Sequence, residues 1–300
     1  MMETDDMVHQ KGQLLFNEPL IDYNTWRVGG AARSLYKPSS VNDLSLFLQQ
    51  LPETESVVWL GLGSNALIPD EGVDATVILT QGALNDIRQT DHEHVYVEAG
   101  VSCAKMARFC ARVGLSGAEF WAGIPGTMGG ALRMNAGCAN GETWNLIEWV
   151  ETMNRKGDVR RRYPSEFSVS YRNVLGLNDE WFVAALCRLS AGDRDVALDR
   201  IKQLLAVRAA TQPTGEYNCG SVFKNPPGDH AARLIESCGL KGYRIGGAVV
   251  SEKHANFIIN HQGEASATDI KLLIQYVAKT VYDKTKVQLI PEVHVFGVGS

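Results

Sequence analysis

Apolar residues recur along the chain at two different spacings. In SVNDLSLFLQQL (40–51) they fall three and four apart, which predicts a helix with one buried stripe. Ser40, with Asp43 three residues on, reads as its N-cap. SVVWLG (56–61) and ATVILT (75–80) are short apolar runs that predict buried strands. HVYVEAG (94–100) alternates instead, which predicts a strand with one face in water. Helical spacing returns in SCAKMARFCARVG (102–114), with Gly114 placed to close it. Strands are predicted around 146–153 and 181–189, with NRKGD (154–158) as a turn. A longer helix over 193–210 stops ahead of Pro213. Beyond it the pattern predicts a helix (229–238), strands within 243–260, a helix (268–283) and a final strand (287–297). No internal repeat or low-complexity tract interrupts the series.

This mixture predicts an α+β fold with mixed sheets. A chain of 300 residues exceeds one ordinary core, so more than one domain is expected. The joint TQPTGEYNCG (211–220) is the predicted boundary between a larger N-terminal part and a C-terminal domain. The opening MMETDDMVHQKG is acidic where a secretory signal needs a basic and then an apolar stretch. It reads as a loose tail, with the folded part beginning near residue 19. No apolar run approaches the roughly 18 residues that span a bilayer, so membrane insertion is not expected.

Charge narrows the partners. Lys and Arg number 29 against 34 Asp and Glu, for a net charge of −5, and no basic cluster offsets it. Nucleic-acid binding is therefore not expected, and no obligate protein partner is predicted. The six cysteines (103, 110, 138, 187, 219 and 238) form no CxxC pair and have no histidines at zinc spacing. They read as reduced buried thiols, which predicts a cytoplasmic protein with no metal site.

Two glycine-rich stretches carry the candidate chemistry. WLGLGSNALIPDEG (59–72) satisfies GxGxxA at Gly61, Gly63 and Ala66. A dinucleotide fingerprint must open a helix, however, and Pro69 and Gly72 forbid one, so a Rossmann fold is rejected. What remains is a tight turn or a nest of backbone amides for a phosphate, with Ser64 and Asn65 as donors. WAGIPGTMGGALRMNAG (121–137) removes side chains at Gly123, Gly126, Gly129, Gly130 and Gly137. Pro125 fixes one φ beside Ile124, and Thr127 and Asn135 offer hydrogen bonds. Close crossing of backbones would explain either stretch alone. Both together suit an extended dinucleotide cofactor with an apolar ring and an anionic diphosphate.

GLGSNALI, WAGIPGTMGGALRMNAG, SYRN, GSVFKNP, GGAVVSEKHANFIIN and PEVHVFG occur in this order, after NTWRVGGAA at 24–32. Over about residues 20–298 the chain resembles the UDP-N-acetylenolpyruvoylglucosamine reductase (UDP-N-acetylmuramate dehydrogenase) family of peptidoglycan precursor synthesis. The resemblance implies two FAD-binding subdomains of the vanillyl-alcohol-oxidase/PCMH type, over 19–80 and 81–210, and a C-terminal substrate domain over 211–300. It implies noncovalent FAD against the two glycine-rich stretches and NADPH as hydride donor.

Hydride addition to the terminal carbon of an enolpyruvyl ether leaves negative charge beside a carboxylate. The site then needs cationic and hydrogen-bonding groups there, and an acid to protonate the carbon. By resemblance Arg172 engages the carboxylate, Ser221 donates the proton, and Glu292 stands beside the same carbon. Glu292 helps by hydrogen bonding only if burial or neighbouring charge raises its pKa. Tyr171, Lys224, Asn225 and His254 match positions near substrate. Arg208, Lys224 and Lys253 are all candidates for the cation facing the diphosphate. An FAD-dependent sugar or alcohol oxidase of the same fold is the rival reading, and the donor-rich set at 172, 221 and 292 argues against it.

Overall fold

The structure, a computed structural model, describes residues 12–296. Among the described residues there are six α-helices: α1 (Val41–Gln50), α2 (Cys103–Arg112), α3 (Met128–Met134), α4 (Arg194–Thr211), α5 (Ala231–Ser237) and α6 (Ala267–Thr285). The two larger sheets differ in construction. In the first, strands run in the order Gln13–Pro19, Ala31–Lys37, Val73–Leu79, Val57–Leu60. The outer pair is antiparallel and the rest parallel. Leu35, Leu60, Val77 and Leu79 fill its core, as expected for unbroken apolar runs.

The second sheet is antiparallel, in the order Val159–Arg162, Ile147–Asn154, Glu180–Arg188, His94–Glu98, Ile87–Gln89. Its main core joins Val95, Val97, Val150 and Phe182 to the inner faces of α2 and α4. Val95 and Val97 are buried while His94, Tyr96 and Glu98 are partly exposed, which is the alternation in the sequence. A third, small sheet of Arg244–Ile245, Ala248–Val250 and Ile258–Asn260 packs with α5 and α6 around Leu234, Leu273 and Val277. The caps follow from local chemistry. Ser40 accepts from the Asp43 amide to start α1, and Asp193 accepts from the amides of Asp195 and Val196 to start α4.

Two sequence expectations need correction, and one element was not anticipated. The expected tail up to residue 18 falls outside the described residues only as far as 11. From Gln13 the chain is an edge strand paired with Ala31–Lys37. That strand exposes Leu14 and Phe16 and turns only Leu15 partly onto the core, so its apolar residues give no regular inward alternation. The final strand expected over 287–297 is reduced to His294–Val295, and residue 297 lies outside the described residues. The stretch 121–137, rich in glycine, holds the helix α3, because Thr127 accepts from the Gly130 amide as an N-cap.

The C-terminal elements are sewn back onto the first sheet. The Trp26 indole N–H donates to the Ile258 carbonyl, and the Asn260 amide donates to the Trp26 carbonyl, each at 2.8 Å. His294–Val295 pairs in parallel with Ala66–Leu67. These bonds bring Glu292 to the first glycine-rich turn.

Candidate active site

Thr127 and Gly61 bring the two glycine-rich stretches together. A Cβ on Gly61 would lie 2.5 Å from the Thr127 hydroxyl. On the other side, Gly63 at φ +68° presses against the Tyr23 carbonyl and Asn24, which only glycine allows. The loop 124–127 is tied to the start of α2, since the Cys103 amide donates to the Gly126 carbonyl at 2.9 Å.

The glycines divide into two kinds. Side chains on Gly61, Gly63, Gly123, Gly129 or Gly137 would collide with protein: Thr127, Tyr23, Cys138, Ala99 and Gly141 respectively. These glycines serve close packing. A Cβ on Gly126 would meet nothing nearer than the Ser64 hydroxyl at 3.5 Å, and one on Gly130 only Thr127 at 3.8 Å. Those two leave room for something other than the chain. Thr25 adds a further sign. Its amide donates to the Gly63 carbonyl, yet its hydroxyl is buried without a hydrogen-bond partner. A buried hydroxyl in that state needs a ligand or water. A cradle open at Gly126 and Gly130, bordered by Ser64 and a hydroxyl in want of a partner, fits a bound FAD. Thr25 was missed in the sequence because NTWRVGGAA there marks a resemblance, with no chemistry assigned to the threonine.

Asn135 departs from its expected role. It is 1% exposed, and its amide donates to Glu142 and to the Ser170 carbonyl while its oxygen accepts the Trp144 amide. Both N–H groups are therefore occupied within the chain. At φ +41° it closes α3 in the left-handed region, and it ties the end of α3 to the hairpin that carries Arg172.

Arg172 sits between Ser168–Ser170 and Asn173–Leu175 at φ +54°. Its Nη atoms donate to the carbonyls of Asn135 (3.3 Å) and Gly137 (3.0 Å). Its Nε stands 3.0 Å from a Glu292 oxygen, both side chains being mostly buried. The guanidinium also lies over the Tyr171 ring, 5.1 Å from the centroid. Lys224 joins from the C-terminal part, donating to the Arg172 carbonyl at 3.1 Å. Burial pushes the Glu292 carboxyl above its ordinary range, while Arg172 and Lys224 pull it the other way.

Ser221 adjoins the same cluster along the chain. The Glu292 amide donates to the carbonyl of Val222, the residue after Ser221, at 2.8 Å. Asn65 donates from its side chain to the Glu292 carbonyl and accepts the His294 amide on its own. Asn225 faces the other way, accepting the Ala231 amide at the start of α5. His254 packs edge-on to Phe257, with Nδ1 buried and unpartnered. Burial lowers its pKa, which favours a neutral ring.

Of the three candidates for the diphosphate cation, Lys224 is the one beside Arg172 and Glu292. Arg208 donates to Gln212, and burial lowers its pKa. Lys253 is exposed and donates to the Ala209 carbonyl. Among the described residues no helix is long and apolar enough to cross a membrane, and no cluster of His, Cys, Asp and Glu could hold a metal ion.

Known proteins resemble this chain in both of its parts. Residues 32–162 match the family described as "FAD binding domain". Residues 212–296 match the one described as "UDP-N-acetylenolpyruvoylglucosamine reductase, C-terminal domain". A Legionella pneumophila (strain Corby) protein named UDP-N-acetylenolpyruvoylglucosamine reductase is 62% identical over 99% of this chain and 96% of its own length. A Coxiella burnetii (strain Dugway 5J108-111) protein of that name is 48% identical over 99% of both. The crystal structure of the Thermus caldophilus enzyme of that name superposes with a TM-score of 0.78 at 32% identity, covering 95% of this chain and 98% of that one. The 6-hydroxy-D-nicotine oxidase of Arthrobacter nicotinovorans, 13% identical with a TM-score of 0.56 over 93% of this chain and 88% of its own, shares the fold. With an FAD-binding domain model over residues 32–162, the family's own C-terminal model over 212–296 and relatives matched nearly end to end, the chain belongs to the UDP-N-acetylenolpyruvoylglucosamine reductase family.

Proposed function

We propose that this chain is a cytoplasmic NADPH-dependent flavoenzyme that reduces the enolpyruvyl ether of UDP-N-acetylglucosamine to UDP-N-acetylmuramate, a peptidoglycan precursor. The observation that carries this reading is the meeting of Arg172, Lys224, Glu292 and the 221–224 segment beside the two glycine-rich stretches. Noncovalently bound FAD would supply the hydride chemistry, linking NADPH to the terminal carbon of the enolpyruvyl group. Residues 19–80 and 81–210 hold it, with Gly61, Gly63, Ser64, Asn65 and the loop 123–127 forming the cradle, joined by Gly130 and Thr25. Residues 211–300 bring the substrate.

Arg172 orients the substrate carboxylate and stabilises the charge that grows on it. Its fork is held by two backbone carbonyls, so it meets the substrate already aligned. Glu292, with its carboxyl raised by burial, holds a proton more readily than an exposed glutamate, and in its protonated form it donates a hydrogen bond to the developing enolate. Ser221 gives its hydroxyl proton to the carbon bearing the carboxylate and regains one from water. Lys224 supplies positive charge next to Arg172, and Tyr171, under the Arg172 guanidinium, lines the substrate side; Asn225 supports that side from behind by holding the start of α5, and His254 by packing on Phe257.

The two halves of the cycle separate these roles. Bleaching of the yellow flavin band by NADPH needs no proton at the enolpyruvyl carbon, whereas its return with substrate does. Ser221→Ala should leave bleaching almost unchanged and slow the return by roughly 10²–10⁴-fold. Stopped-flow absorbance on each half measures both. Slowing of neither half would remove Ser221 from the chemistry.

A further inference from the structure

Ser221 and Lys224 occupy the ends of a short extended segment that lies between two stretches of chain. On one side the pairing is ordinary backbone: Glu292 donates to the Val222 carbonyl and Lys224 to the Ile290 carbonyl, at 2.8 and 2.9 Å. On the other side a single residue does what a neighbouring strand would do. Asn256, 3% exposed, accepts the Phe223 amide on Oδ1 at 3.0 Å and donates from Nδ2 to the Phe223 carbonyl at 2.8 Å. Its backbone carbonyl accepts the Val222 amide at 2.9 Å. A carboxamide presents a donor and an acceptor side by side, as a peptide group does, so it can dock on Phe223 like the edge of a strand.

Upstream of Ser221 the chain is held by its own turn, in which Asn218 accepts the Gly220 amide at 2.9 Å, and Ser221 itself is reached from there only through Gly220. Gly220 stands at φ +80° with no atom within 4 Å of where a Cβ would be, so packing there does not fix the serine. Glu292, by contrast, is held without help from Asn256. Its carbonyl accepts from Asn65 and its carboxylate pairs with Arg172. Removing the Asn256 amide would therefore loosen the serine end of the cluster and leave the glutamate end in place.

We propose that Asn256 is a positioning residue for proton donation, fixing Ser221 through the Val222 and Phe223 backbone. The inference rests on the reading of Ser221 as the proton donor. Both the oxygen and the nitrogen of the Asn256 amide are engaged by Phe223, so its action on the reaction runs through that backbone.

The test uses flavin-loaded Asn256→Ala, Ser221→Ala and the double variant, with each half of the cycle followed by absorbance. Asn256→Ala should slow the substrate-driven return of the flavin band by about tenfold or more. Bleaching by NADPH should stay within about twofold of the parent, as for a group with no part in that half. In the double variant, return should be within about twofold of Ser221→Ala alone, because a residue that acts through Ser221 has nothing left to position. Equal slowing of both halves, or effects that multiply in the double variant, would overturn the proposal. If Ser221→Ala slows return and Asn256→Ala does not, the proposal fails while the reading of Ser221 stands. If Ser221→Ala leaves return unchanged, the reading itself is lost. Should Asn256→Ala not yield loaded protein, Asn256→Asp keeps the shape and the acceptor but loses the donor to Phe223. The same selective slowing is expected of it, and equal slowing of both halves would count against the proposal in the same way.

Discussion

Arg172 concentrates what one residue can do here. It lies in the left-handed region at φ +54°, a cost that the Asn135 and Gly137 carbonyls and Glu292 offset by gripping the guanidinium at three nitrogens. A lysine would keep the charge but could not span those partners and a carboxylate together. Arg172→Lys should lower substrate-driven turnover by roughly 10²-fold, the scale of losing one donor to a developing oxyanion. Turnover near the parent value in steady-state assays would place Arg172 away from the reacting group. SYRN and PEVHVFG pointed to Arg172 and Glu292 from positions 120 residues apart, and the fold sets the two side chains 3.0 Å from each other. Asn135 was not legible in the same way. A polar residue in a glycine-rich stretch looks the same in sequence whether it faces a ligand or, as here, the Ser170 carbonyl. The glycines pose the same problem, since only neighbours distant in sequence separate the packed Gly129 from the open Gly126.

Among elements, α6 shows a cap supplied from elsewhere in the chain. Ser266 and Asp269 form a capping box, and Asp70, on the turn after the first glycine loop, accepts from the amides of Ala267 and Thr268 and from the Thr268 hydroxyl. Burial works against the Asp70 carboxylate, but these three donors prevail and hold its pKa below the ordinary value. Its folded pKa lies under its unfolded one, so the stabilisation is present above the unfolded value and is lost as pH falls through the folded one. Asp70→Ala should cost about 1 kcal/mol at pH 7, the usual worth of a helix cap. Urea titrations at descending pH should find the gap to the parent closing in the acid range. A gap that stays constant with pH would show that the carboxylate is not the cause. The helical periods of α2, α4 and α6 were readable from sequence because each buries one stripe. The strand Gln13–Pro19 was not, because an edge strand with Leu14 and Phe16 in solvent carries no regular inward alternation.

Over the whole molecule, the first sheet and the C-terminal part are joined by the Trp26 clasp to Ile258 and Asn260, by Asp70 on α6, and by the short ladder at Ala66–Leu67. Trp26 is fully buried, and Trp26→Phe keeps most of its volume while leaving the Ile258 carbonyl without its donor. That should cost about 1–3 kcal/mol. Hydrogen exchange should quicken more over 244–260 than over 57–79, and equal quickening of both would show that Trp26 supports the fold generally rather than this junction. Such long-range bonds escape sequence reading, since nothing near Trp26 in the chain names its partner. One of them, from Asn65 to Glu292, spans 227 positions. A chain made from its N-terminus at ordinary translation rates completes both glycine-rich stretches on the order of ten seconds before Glu292 exists. The residues of the cradle are thus made well before the acid beside Arg172, so the parts that would hold flavin and the part that completes the reacting cluster join each molecule in succession.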